Sequence, residues 1–341
     1  MTLITKMPTI ADIAKRQDSS GGIDKEIIEL LVQDNEILWD MPYVEANDVT
    51  GNLTTRRNSL PTVGFRQINA GVLSGKSTTD QIFNTSGFIE TNAEVDVELV
   101  RRNGNEQDFL MSENVSFLEA MNQKMATTVF YGNTVTTPES FDGLGQVYNK
   151  ISTTTTDPGY NIISAGGSGN DNLSMWLACW GPRTGYAFYP KGMTSGFDQK
   201  YMGIQKVTDS DGKIFWAHTT NYKWHMGISI RNWRYFVRIA NIDISDLATY
   251  GETSDTSPKL IKLMNRAKWR VPSLVGVQPV WYAPSTVMQT LEDMINTKSS
   301  VYLTRGEVIN PITGFSASQI MVNGIPVRRC DALVTETTAI G

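Results

Sequence analysis

Cysteine and histidine are scarce in this chain, which has two of each among its 341 residues. Cys179 and Cys330 lie far apart and have no further cysteines beside them, so the sequence predicts neither a disulfide framework nor a thiolate metal site. His218 and His225 have a spacing that matches no common zinc or general-base arrangement. The carboxylates form no evident acid and base pair, and we therefore expect no catalytic residues, no metal and no cofactor.

Long apolar runs and an excess of positive charge are missing as well. No run approaches the roughly 20 apolar residues that a membrane-spanning helix needs, and the first residues, "MTLITKMPTIADIAKR", lack the apolar centre of a signal peptide. The net charge is −5, whereas dedicated nucleic-acid binders usually carry a basic excess. The sequence therefore predicts a globular protein that is made and used, or assembled, in the cytoplasm without membrane contact. It leaves DNA contact open.

The chain does contain a series of short periodic segments, beginning near its N-terminus. "GGIDKEIIELLVQDNEILWDMPYVE" predicts an amphipathic helix that follows a glycine pair. Its apolar residues near helical spacing are Ile27, Leu30, Leu31 and Leu38. The next stretch, residues 49–87, is rich in Thr, Ser, Asn, Gly and Arg and is too polar to form a core.

A longer helix is predicted for "SFLEAMNQKMATTVFYGN". Its apolar face comprises Phe117, Leu118, Met121, Met125 and Val129. Ser116 and Glu119 resemble a capping box, and Gly132 ends the helix. The helix is about 24 Å long if it begins at Ser116 and about 39 Å long if it begins near Glu106. Either length is that of a strut rather than a connector.

Alternating apolar and polar residues predict strands on both sides of this helix. "AEVDVELV" predicts a half-exposed strand that buries Val95, Val97 and Leu99. "GISIRNWRYFVRIANID" predicts a strand whose second face is partly covered. "IMVNGIPVRR" places Asn-Gly between two apolar runs, which is the strongest short signal for a hairpin.

Near the C-terminal third, "SLVGVQPVWYAPSTVMQTLEDMIN" couples an apolar strand to a helix that begins near Ser285. The inward residues of that helix are Val287, Leu291, Met294 and Ile295. Helices and strands are segregated along the chain rather than alternating. The predicted fold class is therefore mixed α+β with a β-rich centre.

Two segments indicate other functions. "AGVLSGKS", Ala70 to Ser77, matches a relaxed phosphate-binding loop and suggests a P-loop-type NTPase, but its flanks lack the required buried strand and helix. The alternative interpretation is an exposed hairpin tip. The aromatic residues of 215–236 suggest a carbohydrate-binding structural protein, although such residues more often fill a β-rich core. "KVTDSDGK", with Asp209 and Asp211, is better explained by a tight turn than by a calcium loop.

Taken in order, the segments resemble the major capsid protein of tailed bacteriophages, with the Hong Kong 97-like fold of the podovirus type. The residues that carry the resemblance are "FLEAMNQKMATTVFYGNTVTTPESFDGLG" and "IMVNGIPVRRCDAL". "GNLTTRRNSLPTVGFRQINAGVLSGKSTTDQIF" looks like an extended E-loop, and "PVWYAPSTVMQTLEDM" looks like a helix of the apical domain. The long helix would then be the spine of a wedge-shaped shell subunit.

The resemblance implies a division of the chain into parts. Residues 1–48 would form an N-terminal arm and 49–88 the E-loop. Residues 89–150 and 300–341 would form the peripheral domain with the spine helix. Residues 151–299 would form the axial domain, with an insertion near 160–246.

The resemblance also implies partners: further copies of the chain as hexamers and pentamers, scaffolding, decoration and portal proteins, and packaged DNA contacted without sequence specificity. The location would be the virion capsid, assembled in the host cytoplasm. Our candidates for contacts between subunits are the basic residues Arg56, Arg57, Arg66 and Lys76 and the acidic residues Glu94, Asp96 and Glu98. Guanidinium groups suit carboxylates across an interface, which is why the two sets are paired here.

Overall fold

The computed structural model describes residues 32–103, 106–193, 196–208, 211–247, 259–297, 303–309 and 316–341. The described α-helices are α1 (Ile37–Asp40), α2 (Val97–Asn103), α3 (Glu106–Tyr131), α4 (Leu144–Val147), α5 (Lys259–Arg270) and α6 (Ser285–Thr297). Single 3-10 turns lie at Pro158–Asn161 and Trp233–Tyr235. The predicted α+β class is confirmed.

The described strands are β1 (Tyr43–Glu45), β2 (Gly51–Ser59), β3 (Thr78–Thr85), β4 (Gly87–Asp96), β5 (Ile162–Ser164), β6 (Asn172–Trp180), β7 (Gly185–Tyr189), β8 (Phe197–Thr208), β9 (Ile214–Ile230), β10 (Phe236–Asp243), β11 (Gln278–Ala283), β12 (Leu303–Ile309), β13 (Ser316–Val322) and β14 (Ile325–Arg329). They form a seven-stranded sheet, a five-stranded sheet and a two-stranded hairpin.

The chain divides into two compact units. One contains Phe88–Met125 and Thr194–His225, and the other contains Asp34–Gly87, Ala126–Met193 and Met226–Gly341. Helix α3 and strand β9 have residues in both units. The domain boundaries expected from the sequence lie elsewhere and stay a prediction.

The larger unit is built on the seven-stranded sheet, in the order β12-β13-β14-β11-β6-β10-β5. The pairs β5 with β10 and β11 with β14 are parallel, and the other pairs are antiparallel. Helices α5 and α6 pack on one face of this sheet through Leu260, Met264, Val287 and Leu291. The prediction of a helix that begins at Ser285 with its apolar residues inward is confirmed.

Strand β6 lies in the middle of this sheet and is buried along its whole length. Leu173, Met175, Leu177 and Cys179 point to the core under α5 and α6. On the opposite face, the ring of Trp176 lies 6.1 Å from that of Phe130 and 5.6 Å from that of Tyr148. Burial on both faces explains why this strand shows a continuous apolar run rather than alternation.

The hairpin predicted at "IMVNGIPVRR" is confirmed by the pairing of β13 with β14, in which Val322 opposes Ile325. Its two turn residues, Asn323 and Gly324, have φ of 53° and 78°. Asn and Gly reach this left-handed region at the lowest cost, as a two-residue turn between twisted strands requires.

The smaller unit combines β4, β8, part of β9 and the first part of α3. Ala93 on β4, Met121 on α3 and Tyr222 on β9 form its core, with Phe117 and Leu118 partly buried beside them. A second small cluster joins Val95, Leu99, Val100 and Phe109. Among the described helices of either unit, none has the length and apolar content of a membrane span.

The capping box predicted at Ser116 and Glu119 is wrong. Helix α3 begins ten residues earlier, at Glu106, so the longer of the two expected lengths, about 39 Å, is the one found. Ser116 lies inside the helix, and its Oγ donates to the carbonyl of Glu113 at 2.7 Å. A helical serine that bonds back to its own preceding turn has no free role as a cap.

Two predicted strands are interrupted. In "AEVDVELV" the strand ends at Asp96, whose carboxylate accepts from the Glu98 N–H at 2.8 Å and starts helix α2, so Val97 and Leu99 are helical. In "GISIRNWRYFVRIANID" the strand stops at Ile230, and Asn232 caps the 3-10 turn that separates β9 from β10. Side-chain caps compete locally with strand pairing and end it. Of the four apolar residues named for the expected N-terminal helix, only Leu38 lies within the described residues, in the short helix α1.

Candidate inter-subunit surface

The segment compared above with an E-loop is a two-stranded hairpin with a firmly held base. Strands β2 and β3 pair from Gly51 opposite Thr85 to Ser59 opposite Thr78. Asn52 is buried, and its Nδ2 donates to the Tyr186 hydroxyl at 3.0 Å and to Ser229 Oγ at 3.1 Å. These bonds join the hairpin to β7 and β9, because Tyr186 and Ser229 oppose each other in that strand pair.

Asn47 also holds the base of the hairpin, through two hydrogen bonds to Leu53. Its Nδ2 donates to the carbonyl of Leu53 at 2.7 Å, and its Oδ1 accepts from the Leu53 N–H at 2.8 Å. This pair of bonds occupies both backbone groups of an outward-facing residue of β2. The start of the hairpin is therefore held at a fixed angle to the preceding segment.

The tip of the hairpin, residues 60–76, is exposed throughout. Six of its exposed side chains are large and apolar: Leu60, Val63, Phe65, Ile68, Val72 and Leu73. Isolated exposed apolar residues are normal on a protein surface, but a contiguous set marks a site of interaction. We name residues 60–76 the apolar tip.

The four basic candidates lie along this hairpin. Arg56 is half-buried opposite Asp80, and Arg57 is exposed opposite Thr79. Arg66 lies in the apolar tip, where its Nε donates to the carbonyl of Ala70 at 2.8 Å. Lys76 is exposed at the end of the tip. The hairpin thus brings the basic residues onto one element.

The phosphate-loop motif of residues 70–77 lies in the same tip. It connects β2 to β3, and the next element is strand β3 rather than a helix. Without a helix N-terminus, the loop lacks the aligned N–H groups that cradle phosphates. The geometry therefore gives no support to the NTPase interpretation.

The acidic candidates lie in the smaller unit, at the junction of β4 and α2. Glu94 and Asp96 are half-buried on β4 and Glu98 is exposed on α2. Glu98 forms an ion pair with Arg101 at 3.0 Å. Since Asp96 caps α2, the three carboxylates do not form one strand face.

The end of helix α3 shows why its glycines are needed. Gly143 N–H donates to the Gly132 carbonyl at 2.9 Å, so the segment after the helix folds back on its last turn. A side chain at Gly132 would place its Cβ 2.3 Å from the Phe141 carbonyl oxygen, which is shorter than any real contact. In the same turn, Asp142 accepts from both the backbone and the hydroxyl of Thr134. Residues 131–133 and residues 141–144 are therefore two parts of one backbone junction.

Burial along α3 is graded. Met121, Met125 and Val129 are buried, whereas Phe117 and Leu118 are only partly buried. Such a helix, followed by a tight junction and preceded in the chain by a hairpin with an exposed tip, suits a structural subunit. A profile of the family described as "Major capsid protein GP7" matches residues 18–340. The chain belongs to this family. It is the major capsid protein of a tailed bacteriophage and forms part of the virion capsid.

One solved structure agrees with this assignment. A structure of bacteriophage Epsilon15 is similar to this capsid protein at 31% identity, covers 100% of this chain and 99% of that chain, and has a TM-score of 0.74. The capsid of bacteriophage JBD30 aligns over 95% of this chain and 99% of that chain at 8% identity, with a TM-score of 0.47. No curated protein shows significant sequence similarity. The Hong Kong 97-like fold predicted from the sequence is confirmed.

The two histidines of this capsid protein contact aromatic residues of their own subunit. His218 is buried, and its Nδ1 lies 2.7 Å from the Tyr201 hydroxyl. His225 stacks on Phe88 at 5.2 Å. Within the described parts of the chain, no cluster of His, Cys, Asp and Glu could hold a metal ion. Tyr222 is buried and Trp216 is exposed, so these two rings do not lie on one open surface that would favour carbohydrate.

The sequence did not predict a buried ion pair that the structure contains. The Arg238 guanidinium on β10 pairs with Glu336, donates to Ser174 Oγ at 3.1 Å and to the Tyr148 carbonyl at 2.9 Å, and lies 5.1 Å from the centre of the Trp176 ring. Glu336 also accepts from the Ser174 hydroxyl at 3.0 Å. The only signal in the sequence is an arginine inside the apolar run "FVRIANI". Its partner is almost a hundred residues away along the chain and could not be identified without the fold.

Proposed function

We propose that the chain builds the icosahedral head shell around the double-stranded DNA genome, as hexamers and pentamers, and that the β2–β3 hairpin is a principal contact between neighbouring copies. Its role is structural and not enzymatic. The observation that carries the proposal is the combination of a fixed base with an apolar tip that is exposed along its whole length. We expect such a tip to bind a partner outside the subunit.

Burial of the apolar tip would supply most of the contact energy. Removing a Leu or Phe side chain from water contributes about 1.5–3 kcal/mol when burial is complete. Leu60, Phe65 and Ile68 are all strongly exposed in the single chain, so several such contributions are available. Part of this energy offsets the loss of motional freedom on association. The fixed base reduces that cost, because the hairpin does not have to be positioned anew.

The arginines would select the docking position. The chain is acidic overall, so a hairpin that carries Arg56, Arg57, Arg66 and Lys76 is attracted to most of a neighbour's surface. Glu94, Asp96 and Glu98 of a second copy are our candidate partners. An incoming guanidinium would compete with Arg101 for Glu98, whereas Glu94 has no ion-pair partner among the residues described. Glu94 is accordingly the first carboxylate to test.

The same proposal covers the wider organisation. The N-terminal arm of 1–48, the E-loop of 49–88, the peripheral domain of 89–150 and 300–341, and the axial domain of 151–299 are the parts that we expect to act as units in the shell. Scaffolding, decoration and portal proteins are expected as further partners, because the resemblance of this chain is to subunits that assemble with them.

The test reverses the two arginines of β2. In Arg56→Glu/Arg57→Glu, the circular dichroism spectrum should match that of the parent, since Arg57 is exposed and Arg56 is only half-buried, and changes of surface charge usually alter the free energy of unfolding by less than about 0.5 kcal/mol. Assembly into closed particles, followed by electron microscopy and light scattering, should fail or become strongly dependent on salt. The matched control, Arg56→Lys/Arg57→Lys, keeps the charge and should assemble.

Normal particles from the reversed variant at both low and high salt would exclude an electrostatic role for these arginines. An unfolded variant would show instead that this part of β2 belongs to the subunit's own core. A parent chain that forms no shells or capsomers under any condition would contradict the shell function itself.

A further inference from the structure

Positive charge is concentrated in helix α5. Five of its 12 residues are basic, and they are Lys259, Lys262, Arg266, Lys268 and Arg270. The surrounding sequence contains no Asp or Glu between Asp255 and Glu292, although the whole chain has a net charge of −5. The helix therefore forms a local exception to the charge of the molecule.

The helix has one buried and one outward side. Leu260, Leu263, Met264 and Ala267 are buried in the core of the larger unit. Lys262, Arg266 and Trp269 are exposed and lie at i, i+4 and i+7, which places them along one outward side. The exposed fraction of Trp269 is 85%. We name these three residues the basic face.

Two other basic residues of α5 are used by the fold. Arg270 donates to the carbonyls of Tyr160 and Ile162, and its guanidinium lies 4.5 Å from the centre of the Tyr160 ring. The Lys268 ammonium lies 3.4 Å from the carbonyl of Asn323. For Lys262 and Arg266 no such contact is found with the part of the chain that the structure describes. Packing of the subunit does not explain their presence.

The positive charges of the basic face and of Arg270 also repel one another. Burial lowers the pKa of Arg270, and the like charge of Arg266 acts in the same direction. Like charges at i, i+4 destabilise a helix, and no carboxylate on α5 compensates them. A bound polyanion would remove this repulsion.

We propose that the basic face of α5 binds the phosphate backbone of nucleic acid, without sequence preference. This inference rests on the proposed shell function and assigns a surface of the chain, separate from the hairpin, to the DNA that the shell encloses. A stretch free of carboxylates avoids repelling phosphates along its whole length. Protein interfaces, in contrast, are depleted of Lys in their centres and mix charges of both signs. The observations therefore favour phosphate over an acidic face of a second copy.

The test titrates the unassembled full-length chain with a short duplex DNA of mixed sequence, followed by fluorescence anisotropy over a range of salt concentrations. The parent should bind weakly, with a Kd of about 10⁻⁴ to 10⁻⁶ M at physiological salt. In Lys262→Gln/Arg266→Gln, the slope of log K against log salt should fall by about 1.8, which is about 0.9 for each cation removed. Each single variant should show about half of that fall.

The matched control is Lys200→Gln/Lys206→Gln, which removes two exposed positive charges from β8. It changes the net charge equally and should leave the slope close to that of the parent. An equal fall in both double variants would show that only the net charge matters and would overturn the proposal. So would a parent that does not bind the duplex.

A polyglutamate peptide serves as the competing probe. If the variant of α5 loses polyglutamate binding and self-assembly but binds DNA like the parent, the basic face contacts an acidic surface of another copy, and the phosphate proposal is wrong. Particle formation by the parent tests the shell function independently. Failure of the one proposal can therefore be distinguished from failure of the other.

Discussion

Two antiparallel strand pairs of this capsid protein carry arginines in opposite surroundings. Strand β10, paired with β6, holds Arg238 with an exposed fraction of 5%, where Glu336, Ser174 and a carbonyl satisfy it. Strand β2, paired with β3, holds Arg57 exposed opposite Thr79. The residue type and the strand pairing are the same. What differs is whether water or protein surrounds the charge.

The same residue type stabilises the fold in one place and, by our proposal, serves association in the other. A buried charge that loses its partner keeps its desolvation cost, so the fold depends on the pair remaining intact. An exposed charge loses little when it is changed, so its effect appears only when a second molecule arrives. The predictions below are ordered by the size of the effect expected on the subunit, beginning with the largest.

The buried pair should give the largest effect. Arg238→Met leaves Glu336 without its cation in a buried site, which should lower the free energy of unfolding by about 3–5 kcal/mol. Urea denaturation of the unassembled chain measures this. Arg234→Met, an exposed arginine four residues earlier, is the control and should stay within about 0.5 kcal/mol of the parent.

The double variant Arg238→Met/Glu336→Leu sharpens the test, because it replaces the pair by apolar groups. It should recover much of the lost stability, since two matched apolar residues leave no unpaired charge. If the single variant unfolds at the same urea concentration as the parent, the pair contributes nothing and the contrast with Arg57 fails.

Helix α3 repeats the contrast within one element. Met121→Ala removes a buried side chain from the core of the smaller unit and should cost about 2–5 kcal/mol. Met111 lies on the same helix with an exposed fraction of 70%, and Met111→Ala should change stability by less than about 0.5 kcal/mol. Thermal unfolding of both variants decides. Equal melting temperatures for Met121→Ala and the parent would refute the proposed buried face.

The apolar tip should affect assembly and not the subunit. Phe65→Ser should leave the free energy of unfolding within about 0.5 kcal/mol of the parent, because this ring is fully exposed. The protein concentration needed for particle formation, measured by light scattering, should rise. Phe65→Leu keeps an apolar side chain and should assemble nearly as the parent does. Assembly of Phe65→Ser at the parent's concentration would remove the tip from the interface.

We expect that Lys76, the lysine of the phosphate-loop motif, has no effect on nucleotide binding. Lys76 lies in the exposed tip before a strand, so ATP binding by Lys76→Ala should stay at the background level of the parent. Calorimetry with ATP and magnesium measures it. Saturable, magnesium-dependent binding that the variant loses would require an NTPase function besides the capsid function.

The sequence predicted those elements whose signals are local. The Asn-Gly turn between β13 and β14 and the start of α6 at Ser285 depend on residues next to each other in the chain. Helix α3 was found because its apolar residues recur at helical spacing. Its start was left open between Glu106 and Ser116, because "EQDFLMSENV" has mixed apolar and polar positions, and helices of this kind are stabilised by packing rather than by propensity.

The candidate surface was predicted only in part. Its basic residues are visible as Arg56 and Arg57 in a polar stretch, and the resemblance to capsid proteins supplied their role as a prediction. The apolar tip was not recognised, because Leu60, Val63 and Phe65 look like ordinary strand residues until their exposure is known. The acidic candidates were placed on one strand face, whereas Asp96 ends the strand and Glu98 belongs to a helix.

The sequence alone determined the fold class, the family resemblance, the main turns and the two principal amphipathic helices, because these depend on spacing and on neighbouring side chains. Only the tertiary structure decided which charges are buried and which are exposed. Arg238 and Glu336 meet because β10 and the C-terminal segment come together, and Lys262 and Arg266 remain outside because α5 turns its apolar side to the sheet. Solvent exposure is a property of the folded chain, and it determines what a charged residue can do.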